Sequence, residues 1–183
     1  MKKAVILLAE GFEEIEALTV VDILRRGGVE IDMVSVTDEK LVYGKNRIPV
    51  MADAIFAQTD FTDVTTLVLP GGIPGVPNLK QHDGVKTLVT RFMRQGRQVA
   101  AICAAPTLLG GWGLLEGRTI TCYPGSEADC PGATVTNKEV VKDGNLITGR
   151  AMAAAIAFAL EVLTQMADED RAVSVAQGIV YHR

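Results

Sequence analysis

A cysteine, a glycine pair and a glutamate cluster are the residues whose types and surroundings point to chemistry. Cys103 stands in "AAICAAP", directly after an apolar run and before two alanines. Gly71 and Gly72 end the run "VLPGG", and Glu16 ends the segment "EGFEEIE". A thiol, backbone amides without Cβ obstruction and a carboxyl group are components of nucleophilic sites. Each of them also has a purely structural interpretation.

Cys103 has three interpretations: a small buried hydrophobic residue, half of a disulfide bond, or a thiolate on a sharp turn between strand and helix. Three cysteines without CxxC spacing favour a reducing compartment over a disulfide framework. The small neighbours Ala101, Ala104 and Ala105 are typical of a nucleophile elbow, where bulky residues would collide with the adjacent backbone. At a helix N-terminus the thiol pKa would fall below its usual value. The cysteine and its neighbours alone do not decide between a buried hydrophobic residue and a nucleophile elbow.

The glycines and glutamates also have two interpretations each. The amides of Gly71 and Gly72 either face a ligand, as an oxyanion hole requires, or serve only a tight turn. Glu13, Glu14 and Glu16 open a helix, where carboxylates complement the helix dipole without further function. Glu16 differs because it directly precedes the apolar stripe of that helix and can turn inward. Beside a thiolate it would keep its proton, since burial and negative charge raise a carboxyl pKa.

The elements that position these residues indicate an open, mostly parallel α/β sheet with helices on both faces. Strands are indicated by the apolar runs "KKAVILLA", "VEIDMVSV", "TLVLPGG" and "QVAAIC". Apolar residues at helical spacing predict helices at about Ile15 to Arg26 and around Val85 to Met93. In such sheets, sites form beyond the carboxyl ends of the strands. The three chemistry-bearing loops are therefore expected to meet.

The second half of the chain completes this pattern. A helix is predicted from "AAPTLLGGWGLL", directly after Cys103, and a small β-hairpin from "VVKDGNLIT" with its Asp143-Gly144 turn. Two more helices are predicted from "AMAAAIAFALEVLTQM" and "DEDRAVSVAQGI". No repeat, linker or low-complexity segment divides the chain, so we expect a single domain over residues 1–183.

Composition excludes several function classes. The 183 residues carry a net charge of −4 without a basic cluster, which argues against a nucleic-acid partner. No apolar stretch reaches the roughly 20 residues of a membrane span, and no signal peptide is recognisable, so we expect a cytoplasmic protein. His82 and His182 lie far apart and give no support to a zinc site. We expect neither a metal nor another cofactor.

The motifs "ILLAEGFEEIEALTVVDILRRGG", "VLPGG" and "AAICAAP" resemble the ThiJ/PfpI superfamily. The resemblance is to the branch of the Parkinson-disease-associated protein deglycase and bacterial YajL. It extends over nearly the whole chain, including the "KDGNLITGR" hairpin. It implies a flavodoxin-like sandwich and a homodimer. It also implies a cofactor-free glyoxalase acting on small α-oxoaldehydes, a deglycase acting on glycated amines, or a redox sensor and chaperone of the oxidative stress response.

The resemblance assigns the site residues and shows two departures. Cys103 would be the nucleophile, Glu16 the protonated carboxyl in contact with it, and the backbone of Gly71, Gly72 and Ala104 the anion pocket. Proteolytic members carry a histidine where this chain has Ala104, so protease activity is not expected. Tyr123 takes the place of a histidine found in close relatives. Because a phenol does not exchange protons near neutrality, Glu16 would carry the proton transfer.

Overall fold

The protein is described by a computed structural model over residues 2–182. The strands in this range are β1 (Lys3–Leu8), β2 (Glu30–Ser35), β3 (Leu41–Tyr43), β4 (Pro49–Met51), β5 (Ala54–Ile55), β6 (Val64–Leu69), β7 (Gln98–Ile102), β8 (Thr119–Ile120), β9 (Thr134–Val135), β10 (Val140–Asp143) and β11 (Leu146–Gly149). The α-helices are α1 (Glu14–Arg26), α2 (Gly75–Gln81), α3 (Asp83–Arg94), α4 (Pro106–Gly111), α5 (Ala155–Met166) and α6 (Glu169–Gly178).

A seven-stranded sheet in the order β10-β11-β7-β6-β1-β2-β5 forms the centre of the molecule. Its strands pair in parallel except for β10, which is antiparallel to β11. Ile6 and Leu8 of β1 pack into a core with α1 and α5, whereas Val5 and Leu7 pack into a second core with α3 and α4. Both faces of β1 are thus covered, which explains its continuous apolar sequence. The predicted flavodoxin-like α/β class is confirmed.

The loops after β1, β6 and β7 lie where the strand order reverses. From β1 the chain moves to β2 on one side, and later to β6 and β7 on the other. The crevice at such a reversal lies beyond the carboxyl ends of the strands. The loops after β6 and β7 carry the glycine pair and Cys103, and the first turn of α1, which follows the loop after β1, carries Glu16. The fold therefore brings the three candidate groups to one place.

Two elements differ from the expectation. The helix after Cys103 begins only at Pro106 and ends at Gly111, because Gly113 adopts a positive φ of 69°. A second hairpin, β3–β4, was not predicted, since each strand has three residues and one begins with Pro49. The predicted hairpin around Asp143 is present as β10–β11, and β11 also extends the main sheet by pairing with β7.

Within residues 2–182, no helix is both long and apolar enough to cross a bilayer.

Candidate active site

Cys103 occupies a strained turn between β7 and α4. Its φ of 65° lies in the left-handed region, which non-glycine residues adopt rarely and mostly where function requires it. The turn is fixed on both sides: the Cys103 amide donates to the Gly149 carbonyl at 2.9 Å, and the Tyr123 amide donates to the Cys103 carbonyl at 2.7 Å. The structure thus places Cys103 on an elbow rather than inside the core.

Glu16 points inward from the first turn of α1. Its side chain is 1% exposed, and its Oε2 accepts a hydrogen bond of 2.9 Å from the Gly71 amide. The other oxygen, Oε1, has no hydrogen-bond partner with good geometry among residues 2–182. Burial raises the pKa of Glu16 to about 7. A carboxyl group with one unpaired buried oxygen favours the protonated form, which can donate from that oxygen.

Gly71 lies between Glu16 and Cys103, and the space beside its Cα has no room for a side chain. A Cβ built on Gly71 would lie 2.5 Å from Glu16 Oε2 and 2.7 Å from Cys103 Cβ. The glycine therefore lets the carboxyl and the thiol approach each other. Its amide already donates to Glu16, which corrects the expectation that this amide serves as an oxyanion donor.

The remaining candidate oxyanion donors are the amides of Gly72 and Ala104. Among the described residues, none accepts a hydrogen bond from the Gly72 amide, and the Ala104 amide lies beside the Cys103 thiol, where it opposes the rise of the thiol pKa. Gly72 has a φ of 103°, and a Cβ there would lie 2.5 Å from the Glu13 nitrogen. Only glycine fits this position. An anion bound beside the sulfur would therefore meet two backbone donors from different loops.

The protonation of Cys103 differs from the expectation. Burial, together with the adjacent Glu16, raises the pKa of Cys103 to about 12, and the Ala104 amide only partly opposes this. The helix field that was expected to lower the pKa is weak, because α4 has six residues and begins three positions after the cysteine. Ionisation of both Cys103 and Glu16 is therefore unfavourable, and the two groups together lose their first proton near pH 7.

Tyr123 lies beside the elbow through its backbone, while its side chain is 50% exposed. The other cysteines, Cys122 and Cys130, are buried outside the site. His82 caps α3 by accepting a hydrogen bond from the Val85 amide, and its ring packs against an aromatic ring. That histidine therefore has a structural role.

Sequence reasoning missed the contribution of the β3–β4 hairpin. Lys45 donates its amide to the Phe12 carbonyl, and its ammonium lies 3.8 Å from the Glu13 carboxylate. This ion pair borders a cavity of about 560 Å³ between the loop after β1 and the hairpin tip, and the cavity is also lined by Arg47 and Pro74. The basic residues of "YGKNR" were a signal for it, but nothing in the sequence places this turn against the loop after β1.

Comparison with known proteins shows the family of the chain. The family model described as the DJ-1/PfpI family matches residues 2–165. The chain is 33% identical to protein dj-1beta of Drosophila melanogaster, over 98% of this chain and 97% of that one. It is 31% identical to a protein of Pyrococcus abyssi named as a deglycase, over 81% of this chain and 89% of that one.

Two further matches concern length and fold. Protein DJ-1 homolog B of Arabidopsis thaliana is 35% identical over 98% of this chain, which spans 41% of the plant protein's length. A crystal structure of a mutant of the DJ-1 superfamily protein STM1931 from Salmonella typhimurium superposes with a TM-score of 0.96 and 32% identity, covering both chains completely. The chain therefore belongs to the DJ-1/PfpI family.

Proposed function

We propose that the protein is a cofactor-free enzyme that uses Cys103 and Glu16 to convert small α-oxoaldehydes into 2-hydroxy acids. The observation that carries this proposal is the contact between an elbow thiol and a buried carboxyl across Gly71. Methylglyoxal and glyoxal are the expected substrates. The name of the Pyrococcus abyssi relative supports chemistry on carbonyl adducts.

The first step joins the thiol to the aldehyde. The Cys103 sulfur attacks the aldehyde carbon as Glu16 accepts the thiol proton, giving a hemithioacetal. The developing oxyanion lies between the amides of Gly72 and Ala104 and then takes up a proton. Because Glu16 has a pKa of about 7, it can both accept and return a proton near neutrality.

The later steps move a hydrogen and release the acid. Glu16 removes the proton from C1 of the hemithioacetal, and the resulting enediolate takes up a proton at C2. The product of this transfer is a thioester. Water then adds to the thioester carbon, the Cys103 sulfur leaves with a proton, and the 2-hydroxy acid is released. The net reaction adds one water to the oxoaldehyde, without any external electron acceptor.

Glycated amines are the second substrate class for the same site. An early adduct of an oxoaldehyde with an amine contains a carbinol carbon at the same oxidation level as the aldehyde carbon of the free oxoaldehyde. Release of the amine would give a deglycase in place of a glyoxalase. The two activities are distinguished by supplying adduct free of unreacted oxoaldehyde.

A second copy of the chain is the proposed partner. Ile15 and Leu18 of α1 and Tyr43, Ile48 and Met51 of the β3–β4 hairpin are large apolar side chains that are 36–62% exposed. The helix and hairpin are joined because the Glu14 carboxylate accepts hydrogen bonds from the amides of Asn46 and Ile48. Exposed apolar side chains on these two joined elements are of a kind that marks protein interfaces. Sedimentation analysis should show a dimer that Ile48→Asp weakens.

Redox sensing is the second candidate function, and one observation favours it. The unpaired Oε1 of Glu16 and the amide of Ala104 are positioned to stabilise oxygen atoms added to the Cys103 sulfur. A peroxide would convert the thiol to sulfenic acid and then to sulfinic acid. A chaperone activity of the oxidised form would belong to this alternative.

Methylglyoxal turnover in the presence of a chelator tests the proposed function. The wild type should form lactate, and Cys103→Ser should form none above background. Cys130→Ser is the matched control, because it removes a buried thiol away from the site and should retain turnover. Equal turnover in Cys103→Ser and the wild type would reject the enzyme proposal. Absence of turnover in a folded, reduced wild type would favour redox sensing.

A further inference from the structure

The first turn of α1 carries a second buried carboxyl group besides that of Glu16. Glu14 is 3% exposed, and its Oε1 accepts hydrogen bonds from the backbone amides of Asn46 at 2.7 Å and Ile48 at 3.5 Å. Its Oε2 accepts a bond of 3.0 Å from the Asn46 side-chain amide. All three donors belong to residues 44–48, the tip of the β3–β4 hairpin. The proposed carbonyl chemistry does not use this carboxylate.

Glu14 and Glu16 project from opposite sides of α1. With 3.6 residues per turn, two residues two positions apart are separated by about 200° around the helix axis. Glu16 accordingly reaches the Gly71 amide at 2.9 Å on the side of the site, whereas Glu14 reaches the hairpin tip. Two buried carboxyl groups thus hold one helical turn from opposite sides. The position of Glu16 therefore depends on the contact that Glu14 makes.

The hairpin tip is itself held in place. The Lys45 amide donates to the Phe12 carbonyl at 2.8 Å, which ties the tip to the loop before α1. The Gly44 amide donates to the Ile48 carbonyl at 3.0 Å and closes the tip. Gly44 packs so closely against Glu14 that a Cβ on the glycine would collide with the Glu14 carboxyl group. The tip is therefore a fixed support for the first turn of α1.

Resting on the proposed function, we propose that Glu14 is a positioning residue for the reaction. Its hydrogen bonds to the hairpin tip hold the first turn of α1 so that the Glu16 carboxyl group stays against Gly71 and beside Cys103. Hydrogen bonds to a carboxylate are roughly twice as strong as those between neutral groups. Misplacing a reacting group by about 1 Å can cost on the order of a hundredfold in rate. If Glu16 moved and met water, its pKa would fall toward the ordinary value.

Methylglyoxal turnover by Glu14→Ala in the full chain tests this proposal, because the variant removes all three hydrogen bonds. Its kcat should fall roughly ten- to hundredfold with little change in KM, since Glu14 touches no substrate. Glu14→Gln should restore most of the rate: its carbonyl oxygen can accept from the Asn46 backbone amide, and the Asn46 side chain can turn its own oxygen toward the new amide. Glu10→Ala is the matched control. The Glu10 carboxylate also accepts from the hairpin, from the Tyr43 amide at 3.1 Å, but it lies in the loop before α1 and should be dispensable for kcat.

The pH dependence of Cys103 alkylation gives a readout that a merely structural role of Glu14 would not move. In the wild type, the iodoacetamide rate should rise through about pH 7 as Cys103 and Glu16 lose their first proton. In Glu14→Ala the midpoint should move down by about half a pH unit or more. Glu13 and Lys45, whose charges also act on Glu16, remain in the chain. Glu14→Gln and Glu10→Ala should keep the wild-type midpoint.

A folded Glu14→Ala with the kcat and the alkylation midpoint of the wild type would overturn the proposal. Equal losses of kcat in Glu14→Ala and Glu10→Ala would also overturn it, because the hairpin would then act as a whole. If Glu14→Ala does not fold, Gly44→Ala decides, since its Cβ displaces the Glu14 carboxylate without removing it. That variant should show the same downward shift, and an unchanged midpoint would reject the positioning role. Absence of turnover in the wild type would reject the proposed function alone, because the alkylation midpoint needs no substrate.

Discussion

Glu16→Gln should remove a pH dependence from the stability of the protein. Burial raises the Glu16 pKa from its ordinary value of 4.5 to about 7 in the folded chain. Between these values the native state holds a proton that the unfolded chain has released, so stability falls as pH rises. At 1.36 kcal/mol per pKa unit, the loss approaches roughly 3 kcal/mol above pH 7. That is a large part of a typical stability of about 5–15 kcal/mol.

Urea unfolding between about pH 5 and about pH 8 measures this effect. The wild type should lose roughly 3 kcal/mol relative to Glu16→Gln over this range, since glutamine carries no proton to release. Glu14→Gln is the control. Burial raises the Glu14 pKa, but hydrogen bonds from its own amide and from Asn46 outweigh this and lower the pKa below its ordinary value of 4.5. The Glu14 contribution is therefore lost only as pH falls below that value, and Glu14→Gln should keep the pH slope of the wild type over the measured range. Parallel pH slopes for the wild type and Glu16→Gln would refute the buried, proton-holding carboxyl.

Three further predictions concern the elbow. Iodoacetamide should alkylate Cys103 far faster than the buried Cys122 and Cys130, with a rate that rises through about pH 7 as the coupled pair loses its first proton; equal labelling of all three by mass spectrometry would contradict this. Gly71→Ala should reduce methylglyoxal turnover by roughly a hundredfold, because its Cβ would separate the thiol from the carboxyl; turnover close to wild type in a folded variant would count against the contact. Casein hydrolysis should be undetectable, since Ala104 stands where proteolytic members carry a histidine that would pair with the thiol; cleavage that disappears in Cys103→Ser would show that another residue takes the place of this histidine.

The sheet and its main helices were predictable because their signals are local. The apolar run of β1 reflects coverage of both faces, and the spacing of Ala17, Val20 and Leu24 in α1 reflects one buried stripe. Small residues around Cys103 were compatible with the elbow, because a residue at positive φ tolerates little bulk beside it, but they did not exclude a buried filler. The β3–β4 hairpin gave no such signal, since three residues are too few to establish a period.

Properties that depend on tertiary contacts could not be predicted from the sequence. The pKa of Cys103 is raised because the thiol is desolvated and faces Glu16, and residues far apart in sequence create this environment. The amide of Gly71 serves Glu16 rather than a substrate oxyanion, which becomes visible only when α1 is packed against the loop after β6. Likewise, the ion pair between Lys45 and Glu13 depends on the position of the hairpin tip.

The pH dependence of kcat/KM for methylglyoxal tests most directly the claim that Cys103 and Glu16 act as one unit. The wild type and Tyr123→Phe should share an acidic limb with an apparent pKa near 7 that belongs to the pair. Tyr123→Phe should lose only about two- to tenfold, the effect of one hydrogen bond, whereas Glu16→Gln should lose on the order of a thousandfold. A thousandfold loss in Tyr123→Phe, with Glu16→Gln close to wild type, would give the proton transfer to the tyrosine and contradict the mechanism.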